Sequence, residues 1–186
     1  MKKYTIKKII LDAVQLSKTI KRMVDEIIEH NDDLENIALV GLQTRGVFLA
    51  ERIAKIIKDE ENIQIPVGVL DISLYRDDFA TNTDMLLRET DFPFSVDDKK
   101  IIIVDDVFYT GRSVRAAMEC IMDFGRPKLI RLAVLIDRGY RELPISADFV
   151  GKKFITIPEK ERISVEFKEF DGEDSVFLLE QIDVKN

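Results

Sequence analysis

Ile101-Ile102-Ile103-Val104-Asp105-Asp106-Val107-Phe108-Tyr109-Thr110-Gly111-Arg112-Ser113 is the stretch that decides the fold of this chain. Four apolar β-branched residues run into two adjacent carboxylates, a turn follows, and an apolar helical pattern begins near Val114. A short continuous apolar run predicts a strand buried on both faces. In open α/β sheets, ligands bind beyond the carboxyl ends of such strands. A helix after the turn aims its free N–H groups and its positive dipole end at whatever sits there. Thr110 and Ser113 add hydroxyl donors, and Gly111 lets the backbone approach without a Cβ. These features suit a phosphate monoester. Asp105 and Asp106 repel phosphate but can accept hydrogen bonds from vicinal hydroxyls, as on a ribose. The two sites side by side spell a ribose 5-phosphate. An isolated Asp-Asp pair would merely end a strand and cap a turn; the Thr-Gly-x-Ser and helix after it favour the ligand reading. The stretch is neither a Gly-x4-Gly-Lys loop nor a Gly-x-Gly-x-x-Gly fingerprint.

The flanking sequence supplies the rest of an α/β pattern. Asp12 is a plausible N-cap, and Leu16, Ile20, Met23, Ile27 and Ile28 recur at helical spacing up to about His30. Residues 37–41 read as a buried strand, 46–58 as a helix and 65–74 as a strand. Residues 75–99 are polar and weakly periodic, and a loop of that length in a compact domain is usually functional. After the quoted segment come a helix at 114–124, a strand at 129–136, and short strands near 148–150, 163–167 and 176–179. Alternating strands and helices with continuous apolar strands predict a mostly parallel sheet covered on both faces. No repeat or Pro/Gly-rich linker divides the chain, so residues 1–186 read as one domain.

Composition narrows the chemistry. Hydrophobic residues make up 46% and charged residues 34%, which fits a soluble globular chain. Apolar runs are too short for a membrane-spanning helix, and the basic start Met1-Lys2-Lys3 leads into charge rather than a signal-peptide core. One cysteine, Cys120, excludes an internal disulfide framework and a cysteine-rich zinc site, and with no signal peptide it fits the cytoplasm. One histidine, His30, argues against His-based metal sites and triads. A net charge of −7 repels nucleic acid overall, so any such contact needs a local basic patch. Phe167, Phe170 and Phe177 are expected to pack the C-terminal strands, and 159–162 to be solvated charge.

A second anion loop stands at Val40-Gly41-Leu42-Gln43-Thr44-Arg45-Gly46, where backbone N–H groups and a guanidinium open a helix. Taken alone it could be an ordinary strand-to-helix turn. A third segment is Leu70-Asp71-Ile72-Ser73-Leu74-Tyr75-Arg76-Asp77-Asp78, and a fourth runs from Ala133 through Asp137-Arg138-Gly139-Tyr140-Arg141 to Gly151.

These four ordered segments resemble the type I phosphoribosyltransferases, and the Tyr-Thr-Gly-Arg wording resembles their PyrR branch of pyrimidine-operon attenuators and uracil phosphoribosyltransferases. The likeness runs from about Asp12 to Ile182. It implies a type I phosphoribosyltransferase fold with a small hood and a flexible loop. It also implies conversion of uracil and phosphoribosyl pyrophosphate (PRPP) to UMP and pyrophosphate. Thr44, Arg45 and Gly46 would then hold pyrophosphate, with Arg76 closing over it. Asp105 and Asp106 would hold ribose, and Val107, Phe108, Tyr109, Thr110, Gly111, Arg112 and Ser113 would complete the PRPP site. Arg45, Arg76, Asp105 and Asp106 are the expected catalytic residues, and Asp137, Arg138 and Gly139 the base pocket. Mg²⁺ is implied as a substrate-bound ion, with no dedicated metal cage of protein ligands. Purine-type members carry an acid where Tyr109 stands, which favours a pyrimidine. Gln43 replaces a usual Lys.

The branch also implies binding to leader RNA of the pyrimidine operon, and dimers or larger homo-oligomers. Lys18, Lys21, Arg22, Tyr140, Arg141 and Lys152 are the candidates for RNA, joined by Arg138 and Lys153. Tyr140 stands where many attenuators have His, and Ser146 where many have Arg. Two alternatives stay open from sequence: an RNA regulator that senses PRPP with little turnover, and a transferase for another base.

Overall fold

The computed structural model describes residues 3–72, 90–154, 158 and 160–182. In chain order the elements are β1 (Lys3–Leu11), α1 (Ala13–Glu29), β2 (Ile37–Leu42), α2 (Arg45–Glu61), β3 (Val67–Leu70), β4 (Lys100–Phe108), α3 (Arg112–Phe124), β5 (Leu129–Asp137), β6 (Phe149–Lys153), β7 (Glu161–Glu166), α4 (Lys168–Asp171) and β8 (Ser175–Ile182). Five strands form one sheet in the order β3-β2-β4-β5-β6, all parallel. Three form a second, antiparallel sheet in the order β1-β8-β7.

The parallel sheet is buried on both faces, as its apolar runs predict. Alternate side chains go to opposite faces of a strand. Ile37, Leu39, Ile102 and Val104 pack with α1 and α2 on one face. Val40, Ile101, Ile103 and Val134 pack with α3 on the other. Cys120 belongs to this second cluster and is buried. The capping expected at Asp12 is present: its carboxylate accepts from the Gln15 N–H at 2.8 Å, and Gln15 returns the bond to the Asp12 N–H at 3.1 Å. Leu16, Ile20, Met23, Val24 and Ile27 form the buried stripe of α1, each contributing roughly 1.5–3 kcal/mol of burial. His30 caps the helix end.

Three expectations need correction. The strand at 101–104 continues to Phe108, with Asp105 paired to Val134 and Phe108 to Asp137. The acid pair therefore lies inside the ladder rather than after it. Aspartate is a poor strand former, and tertiary pairing overrides that preference. The strand at 65–74 shortens to Val67–Leu70. Phe167 and Phe177 are buried, but Phe170 is 52% exposed and lies against Phe48, with ring centroids 6.0 Å apart.

Two elements have no clear sequence signal. β1 is exposed over most of its length, so it lacks the alternation that betrays a half-buried strand. α4 is a single turn. Both belong to the second sheet and its connections, which form the hood over the parallel strands. Residues 73–89, which take in most of the polar stretch 75–99 and the Arg76 expectation, lie outside the described residues. No helix among the described residues is long and apolar enough to cross a membrane.

Candidate active site

All parallel strands point their carboxyl ends the same way, so the turns after β2, β3, β4 and β5 converge. A cavity of about 700 Å³ opens there, between the two sheets. Its walls include Thr44 and Arg45 after β2, Asp71 and Ile72 after β3, Asp105, Asp106, Val107, Tyr109 and Ser113 from β4 and its turn, and Arg138 after β5. A neighbouring hollow of about 310 Å³ is lined by Asp105 and by Val107 through Val114. The four segments singled out in the sequence, separated by up to about a hundred residues, thus share one site.

The two loops read as anion sites open α2 and α3. Among the described residues, neither N-cap side chain, Thr44 for α2 or Gly111 for α3, makes a capping hydrogen bond, and the Arg112 N–H reaches Thr110 Oγ1 at 3.4 Å. Gly111 sits at φ 95° as the N-cap of α3, a conformation suited to glycine. Gly46 is needed for close approach: a Cβ there would stand 2.4 Å from the Val104 carbonyl oxygen. This contact brings the first turn of α2 against the acid-bearing strand. The peptide between Gln43 and Thr44 is cis.

The carboxylates differ in surroundings. Asp105 and Asp106 both line the cavity. Burial, followed by the negative charge of Asp106, pushes the Asp105 carboxyl well above the ordinary carboxylate range. Burial also raises Asp106, but the Arg45 guanidinium is among the groups that oppose it. The Asp106 N–H donates to Asp105 Oδ1 at 2.9 Å. As carboxylates, the two can accept from hydroxyls or meet a cation brought in by a ligand. Among the described residues no cluster of three or more His, Cys, Asp or Glu side chains could hold a metal by itself.

On the far wall, Arg138 joins the sheets. Its Nη2 donates to the Glu161 carbonyl at 2.7 Å, and its N–H to the Phe108 carbonyl at 2.9 Å. Its guanidinium lies 4.1 Å from the Tyr109 ring centroid, and Tyr109 stacks on Tyr140 at 5.6 Å. Asp137 is buried, and its Oδ1 accepts from the Gly139 N–H at 2.9 Å and from Arg141. The Phe108 ring is buried beneath the Arg141 guanidinium. Arg112 is exposed and paired with Glu142 at 2.6 Å.

Residues 7–167 match the phosphoribosyl transferase domain family. The bifunctional protein PyrR of Pelotomaculum thermopropionicum is 55% identical over 172 residues, covering 92% of this chain and 94% of that one. The bifunctional protein PyrR of Enterococcus faecalis is 49% identical over 172 residues, covering 92% and 96%. The chain belongs to the PyrR family of phosphoribosyl transferases. Solved structures agree on the fold of this PyrR chain. A hypoxanthine-guanine phosphoribosyltransferase of Bacillus anthracis superposes with a TM-score of 0.71 at 19% identity, covering 95% of this chain and 99% of its own. The hypoxanthine phosphoribosyltransferase of Trypanosoma cruzi gives 0.68 at 15%, covering 95% and 98%.

The structure rearranges the residues named for RNA in this PyrR chain. Arg141 is not a free surface cation. Besides Asp137 it donates to the Tyr109 carbonyl at 2.5 Å, so it is committed to holding two turns together. Lys21 pairs with Asp25 and Glu60, and Arg22 with Glu26 and the Val150 and Gly151 carbonyls. The last two bonds seat α1 on β6, the strand that carries the exposed Lys152 and Lys153. Tyr140 is 63% exposed and stacks on Tyr109, which lines the cavity.

Two residues at the site were not anticipated. Arg162 on β7, expected as solvated charge, lines the cavity opposite the acid strand. It has no sequence signal, since only the fold of the hood back over the sheet brings it there. Asp171 on α4 pairs with Arg45 and is likewise invisible as one acid among many near the C-terminus.

Proposed function

We propose that this protein transfers the phosphoribosyl group of PRPP to uracil, releasing pyrophosphate and forming UMP. The observation that carries the reading is the cavity that brings together Arg45, the acid pair Asp105–Asp106 and Ser113 in the first turn of α3. Loss of pyrophosphate leaves positive charge on the ribose and negative charge on the leaving group. The chain needs no nucleophile for this: orientation and fixed charge suffice. Arg45 meets the leaving pyrophosphate, Asp105 and Asp106 fix the ribose hydroxyls and face its developing charge, and Thr110 to Ser113 anchor the 5-phosphate. Mg²⁺ would be carried by the substrate, with Asp105 and Asp106 the protein groups able to meet it, and would help neutralise the charge of the leaving pyrophosphate. Tyr109, under the Arg138 guanidinium, leaves no acid to receive a purine ring nitrogen and favours a pyrimidine.

The test is pyrophosphate release with PRPP, Mg²⁺ and, separately, uracil, orotate, hypoxanthine, guanine and adenine. Release with uracil alone supports the reading. Release with a purine overturns the Tyr109 argument, and no release from a folded protein that binds PRPP makes the chain a sensor.

A second activity, control of a pyrimidine-operon messenger by binding its leader RNA in response to uridine nucleotides, is supported by the basic face of α1 and β6. Lys18 and Arg22 on α1 and Lys152 and Lys153 on β6 are exposed there in an otherwise acidic protein. Binding of leader RNA titrated against salt tests it: a steep dependence supports phosphate contact, and an absent one refutes it.

A further inference from the structure

We propose that Asp171 is a positioning residue for pyrophosphate, holding Arg45 in the orientation in which it meets the leaving group. The inference rests on the assignment of the Arg45 loop to pyrophosphate under Proposed function. Arg45 Nε lies 3.0 Å from Asp171 Oδ2, and Arg45 Nη2 lies 2.6 Å from Oδ1. This is a two-point fork, the strongest geometry available to a guanidinium and a carboxylate. It occupies one edge of the guanidinium and leaves Nη1 as the remaining edge. The Arg45 side chain, 31% exposed, lines the cavity. The Phe170 ring lies beneath the guanidinium, 5.6 Å from its carbon, and restricts it on a third side.

Asp171 could instead be a competitor that pyrophosphate must displace. Its own anchoring argues otherwise. Asp171 Oδ2 also accepts the Phe167 N–H at 2.9 Å, and Phe167 is fully buried. Burial disfavours the Asp171 charge, but the hydrogen bonds from Arg45 and the Phe167 N–H outweigh it and hold the carboxyl below its ordinary range. The same turn grips α2 a second time. Arg52 donates to Glu169 at 2.8 Å and to Asp174 at 2.6 Å, and its guanidinium sits 4.8 Å from the Phe167 ring centroid. A carboxylate meant to yield would not be fastened to the core on one side and to the same helix twice. Arg45 keeps its charge throughout, since its pKa is raised. What Asp171 adds is a fixed direction for that charge, set before the ligand arrives.

The experiment is calorimetric titration of Mg²⁺-pyrophosphate into the wild type, Asp171→Asn, Arg45→Ala and the double variant, with urea unfolding of each. The amide in Asp171→Asn keeps an oxygen for the Phe167 N–H, so the turn survives while the charge and the fork are lost. The expected result is binding weakened about tenfold in Asp171→Asn, with no further loss when the change is made in the Arg45→Ala background. A purely structural role would lower the unfolding midpoint without that dependence on Arg45. Equal or tighter binding in Asp171→Asn, or an undiminished loss in the Arg45→Ala background, overturns the proposal. A wild type that binds no pyrophosphate overturns the reading of the loop itself, and the proposal with it. If Asp171→Asn does not fold, the Arg45 Nε–H resonance of the wild type, assigned by its loss in Arg45→Lys, decides. A sharp, slowly exchanging signal supports the fixed fork, and a solvent-averaged one refutes it.

Discussion

Arg141 Nη2 lies 2.5 Å from Asp137 Oδ1 and joins the two ends of the turn that closes β5. The same guanidinium reaches across to the Tyr109 carbonyl in the turn after β4. One side chain therefore sets the distance between the turn assigned to the base and the turn assigned to the 5-phosphate. Arg141→Ala leaves a buried carboxylate without its cation. The expected cost is about 2–4 kcal/mol, read as a lower urea midpoint. An unchanged midpoint would return Arg141 to the surface cations.

Asp105→Asn should stabilise the protein at neutral pH. Burial and Asp106 raise the Asp105 pKa in the native state above its ordinary 3.8. Across that window the native state binds more protons than the unfolded one, so stability falls as pH rises. Above the window the whole penalty remains; below it, none does. The variant should therefore unfold at higher urea than the wild type at pH 7 and at the same urea at pH 3. A lower midpoint at pH 7 would contradict the assigned burial cost.

Asp106→Asn should keep the fold and lose the chemistry. The amide cannot accept hydroxyl hydrogen bonds as a carboxylate does, nor answer positive charge on the ribose. Turnover with PRPP and uracil is expected to drop by about a hundredfold or more. A rate within a few-fold of wild type would remove the ribose assignment from this residue.

Gly46→Ala should separate α2 from β4. The added carbon would stand 2.4 Å from the Val104 carbonyl oxygen, a backbone atom that cannot swing away. Destabilisation of about 1–3 kcal/mol is expected, with weaker PRPP binding because Arg45 moves relative to Asp106. Thermal melts and PRPP titration check both.

Lys18→Glu and Lys152→Glu address the basic face without touching the cavity. Each should flatten the slope of log affinity against log salt for leader RNA by about one phosphate contact. Turnover with uracil should be unchanged. An unaltered slope would show that RNA, if bound, lies elsewhere.

The sequence by itself determined the parallel sheet and the location of its site. Ile101 to Val104 and residues 37–41 carry that reading because a strand buried on both faces must be apolar throughout. Thr110-Gly111-Arg112-Ser113 could be read as an anion loop because such a loop at a helix start needs local residues in local order. The tertiary structure decided what depends on chain segments meeting. β1 gave no pattern because most of it is exposed, so the strand exists only through its pairing with β8. Asp105 and Asp106 entered the strand because β5 pairs alongside them. Arg141 moved from a surface role to an interior one because Asp137 and Tyr109 surround it. Arg162 and Asp171 entered the site from the C-terminal segment, more than a hundred residues from Arg45. A charge reads the same in sequence whether it faces water or a partner; only the folded chain supplies the partner.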